Sequence, residues 1–318
     1  MNTALRRLSV IAACSLALTA TACGDSTDTA GGSDDKLKVV TAFYPFQYVA
    51  SSVAGDKAEV TSLTSPGAEP HDLELTPKQI ASLAEADLVV YQKGFQEQVD
   101  KALEEQQPKN VVDVAQVVDM QPMEAADDHE HEGESAEEHE GHDHGSTDPH
   151  TWLTPTNMVK ITAAVQDKLT QADSTDAKTF DANAKQLSTQ LTTLDKDFGT
   201  GLSQCTRKEF ITSHAAFGYL AKSYGLTQIG ISGLSPDEQP SPARITEVQK
   251  LAKEHGVTTI FYETLVSPAQ AKSIAGDLGL KTDVLDPLEG ITKDSRGSDY
   301  IAVQRANLAA LKTANGCK

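Results

Sequence analysis

The stretch LKVVTAFYPFQYVASSVAGDKAEVTSL, running from Leu37 to Leu63, decides the fold. Leu37 to Phe43 is apolar and β-branched and reads as a strand. A helix follows after Pro45, and Glu59 to Leu63 reads as a second strand. Strand, helix and strand in succession are the unit from which parallel sheets are built.

The same alternation continues outward. After the loop Ser65-Pro66-Gly67-Ala68-Glu69-Pro70-His71, Thr76 as N-cap, Pro77 at the first helical position and Gln79 at the third form a capping box. Asp87 to Tyr91 and Val111 to Val114 are further strands, and Thr154-Pro155 opens a helix that reaches about Leu169. These elements predict an N-terminal α/β lobe over 37–173. A longer helix begins near Ser174. In it Phe180, Ala184, Leu187, Leu191, Leu194, Phe198 and Leu202 recur every three or four residues, an apolar stripe along a helix of about 40 Å. It reads as a rigid linker helix over 174–202. The C-terminal lobe, 203–318, repeats the alternation. Its strands are Glu209–Thr212, Val257–Tyr262 and Thr282–Leu285. Helices run from Phe217 to Gly225, from Ser241-Pro242 to His255-Gly256, from Ser267-Pro268, and from about Ser298. The expected fold is α/β, with two lobes, each a parallel sheet flanked by helices, joined by one long helix.

The chain has 318 residues, 39% of them hydrophobic, and a net charge of −19. Between Glu124 and Asp148 there are eleven acids and five histidines (His129, His131, His139, His142, His144), with no Lys or Arg. This tract, an acid–His loop over 124–147, supplies most of the negative charge. Such a balance argues against a nucleic-acid partner, which needs a basic footprint, and favours cations.

Arg6-Arg7, the apolar run Leu8 to Leu18, and Ala20-Thr21-Ala22-Cys23 read as a secretory signal over 1–23. The segment resembles a bacterial lipobox, with Ala20 where that pattern prefers Leu, and Cys23 is then the lipidated residue. Residues 24–36 are polar and Gly/Ser/Asp-rich, a flexible tether. Setting aside Cys14 and Cys23, the exported chain keeps Cys205 and Cys317, an even pair that predicts one disulfide.

Ligands of open parallel sheets bind beyond the carboxyl ends of the strands. His71, His150 and His214 fall at such places, and the loop Leu285-Asp286-Pro287-Leu288-Glu289-Gly290 adds two carboxylates. Three imidazoles and a carboxylate suit a closed tetrahedral Zn²⁺ site. Each residue alone has an ordinary explanation. His255 suits the C-terminal dipole of its helix, Asp148 makes a turn with Pro149, and Trp152 is core.

The combination of Pro70-His71-Asp72, Asp148-Pro149-His150-Thr151-Trp152-Leu153 after an acid–His tract, and Thr212-Ser213-His214-Ala215-Ala216-Phe217-Gly218-Tyr219 carries a family resemblance. Ile231 to Pro236, Tyr262-Glu263 and Asp286-Pro287-Leu288-Glu289 complete it. The chain from about Leu37 resembles the metal-binding solute-binding proteins of bacterial ABC transporters, cluster A-I, and within them the zinc-uptake subgroup. The resemblance implies two α/β lobes with Zn²⁺ held between them as transported ligand. His71, His150 and His214 are the implied ligands, with Glu289 fourth and Asp286 the alternative. It implies a lipid-anchored extracytoplasmic monomer that works with an ABC-type permease and its ATPase. Manganese-selective members often carry Glu where His214 stands, so His214 favours zinc.

Three other readings compete. One is a manganese or iron importer, and another is a zinc-storage or adhesin surface lipoprotein that depends on the acid–His loop. The third is an exported zinc hydrolase, with Glu263 or Glu69 as general base.

Overall fold

Strand β1 (Leu37–Thr41) alternates its side chains between two cores. Val39 packs into the layer of helices on one face of its sheet and Val40 into a smaller cluster on the other. That is the two-residue period of an extended chain. The computed structural model describes residues 36–122 and 147–318. The signal segment with Cys23, the tether up to residue 35, and the acid–His tract with His129, His131, His139, His142 and His144 lie outside the described residues.

The first lobe continues through α1 (Tyr44–Ala54), β2 (Ala58–Ser62), α2 (Pro77–Glu85), β3 (Leu88–Tyr91), α3 (Glu97–Gln106) and β4 (Val111–Asp113). Thr76 and Gln79 form the reciprocal capping box at the start of α2. A short antiparallel pair, β5 (Gln121–Pro122) and β6 (Thr147–Asp148), flanks the undescribed tract. Then come α4 (Pro155–Ala172) and α5 (Ala177–Leu202). The second lobe is β7 (Glu209–Thr212), α6 (Gly218–Tyr224), β8 (Thr227–Gly230), α7 (Pro242–Glu254), β9 (Thr259–Tyr262), α8 (Ala269–Leu278), β10 (Lys281–Val284) and α9 (Tyr300–Asn315).

Both four-stranded sheets are parallel, ordered β2-β1-β3-β4 and β10-β9-β7-β8. Counted from the first strand of each lobe, both read 2-1-3-4. The strand order therefore switches between β1 and β3 and between β7 and β9, where crevices open beyond the strand ends.

The lobes share one apolar layer. Helices α1, α4, α5 and α9 pack on one another, and their core takes in Phe210, Phe217 and Phe261 of the second lobe. The stripe Phe180, Ala184, Leu187, Leu191, Leu194, Phe198 and Leu202 is the buried face of α5. Each large side chain there contributes about 1.5–3 kcal/mol of burial. Ile211 and Ile260 point to the far face of the second sheet, against Val248 and Ile274. The disulfide Cys205–Cys317 ties the end of α9 to the start of β7, and Arg207 donates to Ala314 O alongside it. Among the described residues no helix is long and apolar enough to cross a membrane.

Besides the short β5–β6 pair, two elements fall outside the alternation read from sequence. Helix α3 buries only Val99, Ala102 and Leu103 in an otherwise charged run. Strand β8 is a sheet edge of four residues, two of them buried. Both are fixed by the sheet beside them rather than by their own pattern. Elsewhere the ends move by a few residues: β1 stops at Thr41 instead of Phe43, and β9 starts at Thr259 instead of Val257.

Phe198 is fully buried on α5 and stacks on Tyr224, with ring centroids 5.1 Å apart. Phe198→Ala should cost about 3–5 kcal/mol of unfolding free energy, read as a lower urea midpoint with an unchanged slope.

Candidate metal centre

Each of the four predicted side chains is delivered by a different loop. His71 follows β2 three residues beyond the turn Ser65–Ala68, which Ala68 N closes by donating to Ser65 O. Gln96 holds that loop by donating to Pro70 O and Thr64 Oγ1. His150 follows β6 at the head of a single 3₁₀ turn, Thr151–Leu153. His214 leaves the carboxyl end of β7, and Glu289 lies on the loop after β10.

The four meet. One donor atom from each of His71, His150, His214 and Glu289 lies within 4.8 Å of all the others. Glu289 Oε1 is 3.4 Å from His71 Nε2, 3.5 Å from His150 Nε2 and 3.6 Å from His214 Nε2. Glu289 and His150 are fully buried and His214 nearly so, while the His71 side chain is 11% exposed. His150 Nε2, His214 Nε2 and Glu289 Oε2 are buried without a hydrogen-bond partner. Uncompensated polar atoms in such a place are costly.

The outward nitrogens of two rings are fixed. His150 Nδ1 and the His150 backbone N both contact Asp148 Oδ1, at 2.8 and 2.9 Å. His214 Nδ1 is 2.8 Å from Glu263 Oε1, which also accepts from Ser213 Oγ. A carboxylate at Nδ1 holds a proton on that nitrogen and aims Nε2 at Glu289. Gly218 makes room for this: a Cβ there would sit 2.6 Å from Asp148 Oδ2. Tyr219 Oη donates to Asp148 O and accepts from Gln121 N, pinning the β5–β6 pair. Asp148 is thus more than a turn residue, although nothing in its spacing to Pro149 separates the two roles.

Charge follows from burial and proximity. Burial pushes the Glu289 carboxyl up, but the three imidazoles outweigh it and hold it well below the usual carboxylate range. Burial pushes His150 down, and Asp148 and Glu289 more than reverse this. His214, opposed in the same way by Glu263 and Glu289, is held well above its ordinary value. His71 goes down, because burial there exceeds the pull of Glu289. Glu69 accepts from His71 N at 3.1 Å. Burial and the nearby Glu289 charge push its carboxyl up to about 8.

Asp286 stands outside the group of four. Its Oδ1 accepts from Leu288 N and its Oδ2 from Thr264 Oγ1. It shapes the turn that carries Glu289, in which buried Leu288 adopts a left-handed φ of +59°. That conformation costs a branched residue about 1–2 kcal/mol. His255 lies at the C-terminus of α7, 3.6 Å from Glu209.

The fold is that of a solute-binding protein. The Zn(II)-bound ZnuA-like domain of AdcA from Streptococcus pneumoniae superposes with a TM-score of 0.72 at 36% identity, covering 88% of this chain and 99% of that one. The high-affinity zinc uptake system protein ZnuA of Bacillus subtilis is 39% identical over 313 residues, 96% of each chain. The zinc-binding lipoprotein AdcA of S. pneumoniae strain R6 is 39% identical over 97% of this chain, which spans only 61% of that protein's length. The chain belongs to the ZnuA family, zinc-uptake complex component A, periplasmic, whose family model matches residues 39–314.

Glu263→Gln removes the charge that fixes the His214 ring while keeping its size. It should weaken metal binding about 10–100-fold, measured by competition with a chromophoric chelator.

Proposed function

We propose that this chain captures Zn²⁺ outside the cytoplasm and hands it to an ABC-type permease driven by its ATPase. His71, His150, His214 and Glu289 are the ligands in this reading, and Cys23 supplies the lipid anchor. One observation carries it: three Nε2 atoms stand 3.4–3.6 Å from one carboxylate oxygen. A tetrahedron of zinc bonds near 2.0–2.1 Å has edges of about 3.3 Å. The separations are long for hydrogen bonds and right for ligands sharing an ion. Membership of the zinc-uptake family supports the same cargo and the same partners.

The donor set favours zinc over manganese. Imidazole suits Zn²⁺, whereas Mn²⁺ prefers oxygen ligands and a higher coordination number. A capture protein needs no open coordination position, and four protein ligands fill a tetrahedral shell. A hydrolase would need a coordinated water and a free base. Glu263 Oε1 is engaged by His214 and Ser213, and Glu69 Oε1 accepts from His71 N.

His214→Ala should weaken Zn²⁺ binding by at least about 100-fold and leave one-to-one stoichiometry at the central site undetectable at micromolar metal. Competitive titration with Zn²⁺ and Mn²⁺ on a chain lacking 124–147 checks this. Unchanged affinity in the variant would overturn the proposed site.

The raised His150 and His214 values give the pH dependence its sign. A group held above its ordinary value keeps its proton to higher pH in the metal-free protein, and zinc must displace it. Affinity should fall as the pH is lowered and rise as it is raised, with net proton release on zinc binding. Calorimetry in buffers of different ionisation enthalpy measures that release.

A further inference from the structure

The turn that carries His150 and the loop that carries Glu289 come from different lobes, and one buried hydrogen bond joins them. Trp152 Nε1 donates to Pro287 O at 2.7 Å. Trp152 lies two residues after His150, and Pro287 two before Glu289. The indole is fully buried, with ring centroids 4.7 Å from Phe43, 5.2 Å from Phe95 and 5.2 Å from His150. An indole offers a single donor and no acceptor, so this bond sets the direction in which the ring can sit.

Further bonds grip both segments. Tyr300 Oη donates to Trp152 O at 2.6 Å and Gln304 Nε2 to Leu153 O at 3.2 Å, both from α9 of the second lobe. On the other side of the loop Asn307 pairs twice with Asp286, as acceptor from its N at 2.9 Å and donor to its O at 2.7 Å. Between these anchors Leu288 holds the left-handed backbone that its side chain disfavours. A strained residue keeps its conformation only where its surroundings impose it, and here they place the next side chain, Glu289, under three imidazoles.

We infer that Trp152 is a positioning residue for Glu289. Its indole N–H locks the Pro287–Glu289 loop to the Asp148–Leu153 turn, so the carboxylate and His150 form one preassembled half of the site across the two lobes. The inference rests on the proposed ligand role of Glu289.

The test is a double-mutant cycle for Zn²⁺ affinity, by chelator competition on the mature chain: wild type, Trp152→Phe, Glu289→Gln and the pair. Phe keeps an aromatic ring in the core and deletes the donor. Trp152→Phe should weaken zinc about 10–100-fold with Glu289 present and less than about 3-fold with Gln there, because no charged ligand is left to position. An equal loss in both backgrounds overturns the inference and makes Trp152 a core residue only. Wild-type affinity in Glu289→Gln overturns the ligand reading instead. If Trp152→Phe loses its far-UV circular dichroism, Asn307→Ala, which frees the same loop from its other side, goes through the same cycle under the same criterion.

Discussion

A carboxylate with no access to water, facing three imidazoles, is the constraint around which this protein is arranged. Glu289 is fully buried, and its charge survives there only because His71, His150 and His214 offset the loss of solvent. The reverse also holds. Glu263 and the Glu289 charge together raise His214 against a burial cost that pulls it down. None of the four residues is tolerable in that place without the others, and the divalent cation proposed there would satisfy the orphaned nitrogens and oxygen together.

The two sheets serve this arrangement from a distance. Their shared 2-1-3-4 order puts a crevice at the carboxyl ends of each, and the switch in the second lobe is flanked by β7 and β9, which end just before His214 and Glu263. The continuous core through α1, α4, α5 and α9 then keeps the two crevices in register. Around each ligand the chain spends further residues on orientation. Asp148 fixes His150, Glu263 fixes His214, Gln96 holds the His71 loop, and Asp286 with Asn307 shapes the Glu289 turn. Residues outside the proposed ligand set thereby acquire a reason. Gly218 is one, because any side chain there would occupy the space of the Asp148 carboxylate.

The sequence by itself determined the architecture. Alternating strand and helix periods, the capping box at Thr76 and the three-and-four stripe of α5 are local signals, written within a few turns of chain, and the structure follows them closely. It missed α3, β8 and the short β5–β6 pair, whose placement depends on the strands beside them more than on their own residues. The four candidate ligands could be named too, although only as a combination, because a histidine after a strand has many ordinary uses. Tertiary structure alone decided what brings them together. His71 and Glu289 are 218 positions apart and meet at 3.4 Å, a distance that no spacing along the chain encodes. The geometry also separates Asp286 from Glu289, two carboxylates three residues apart that the family resemblance ranked by pattern alone. A left-handed residue between them turns one inward and leaves the other to hold the turn. Local periodicity is set by backbone geometry and can be read in order. A buried charge depends on which loops the fold folds back against each other, and that is known only when every one of them is in place.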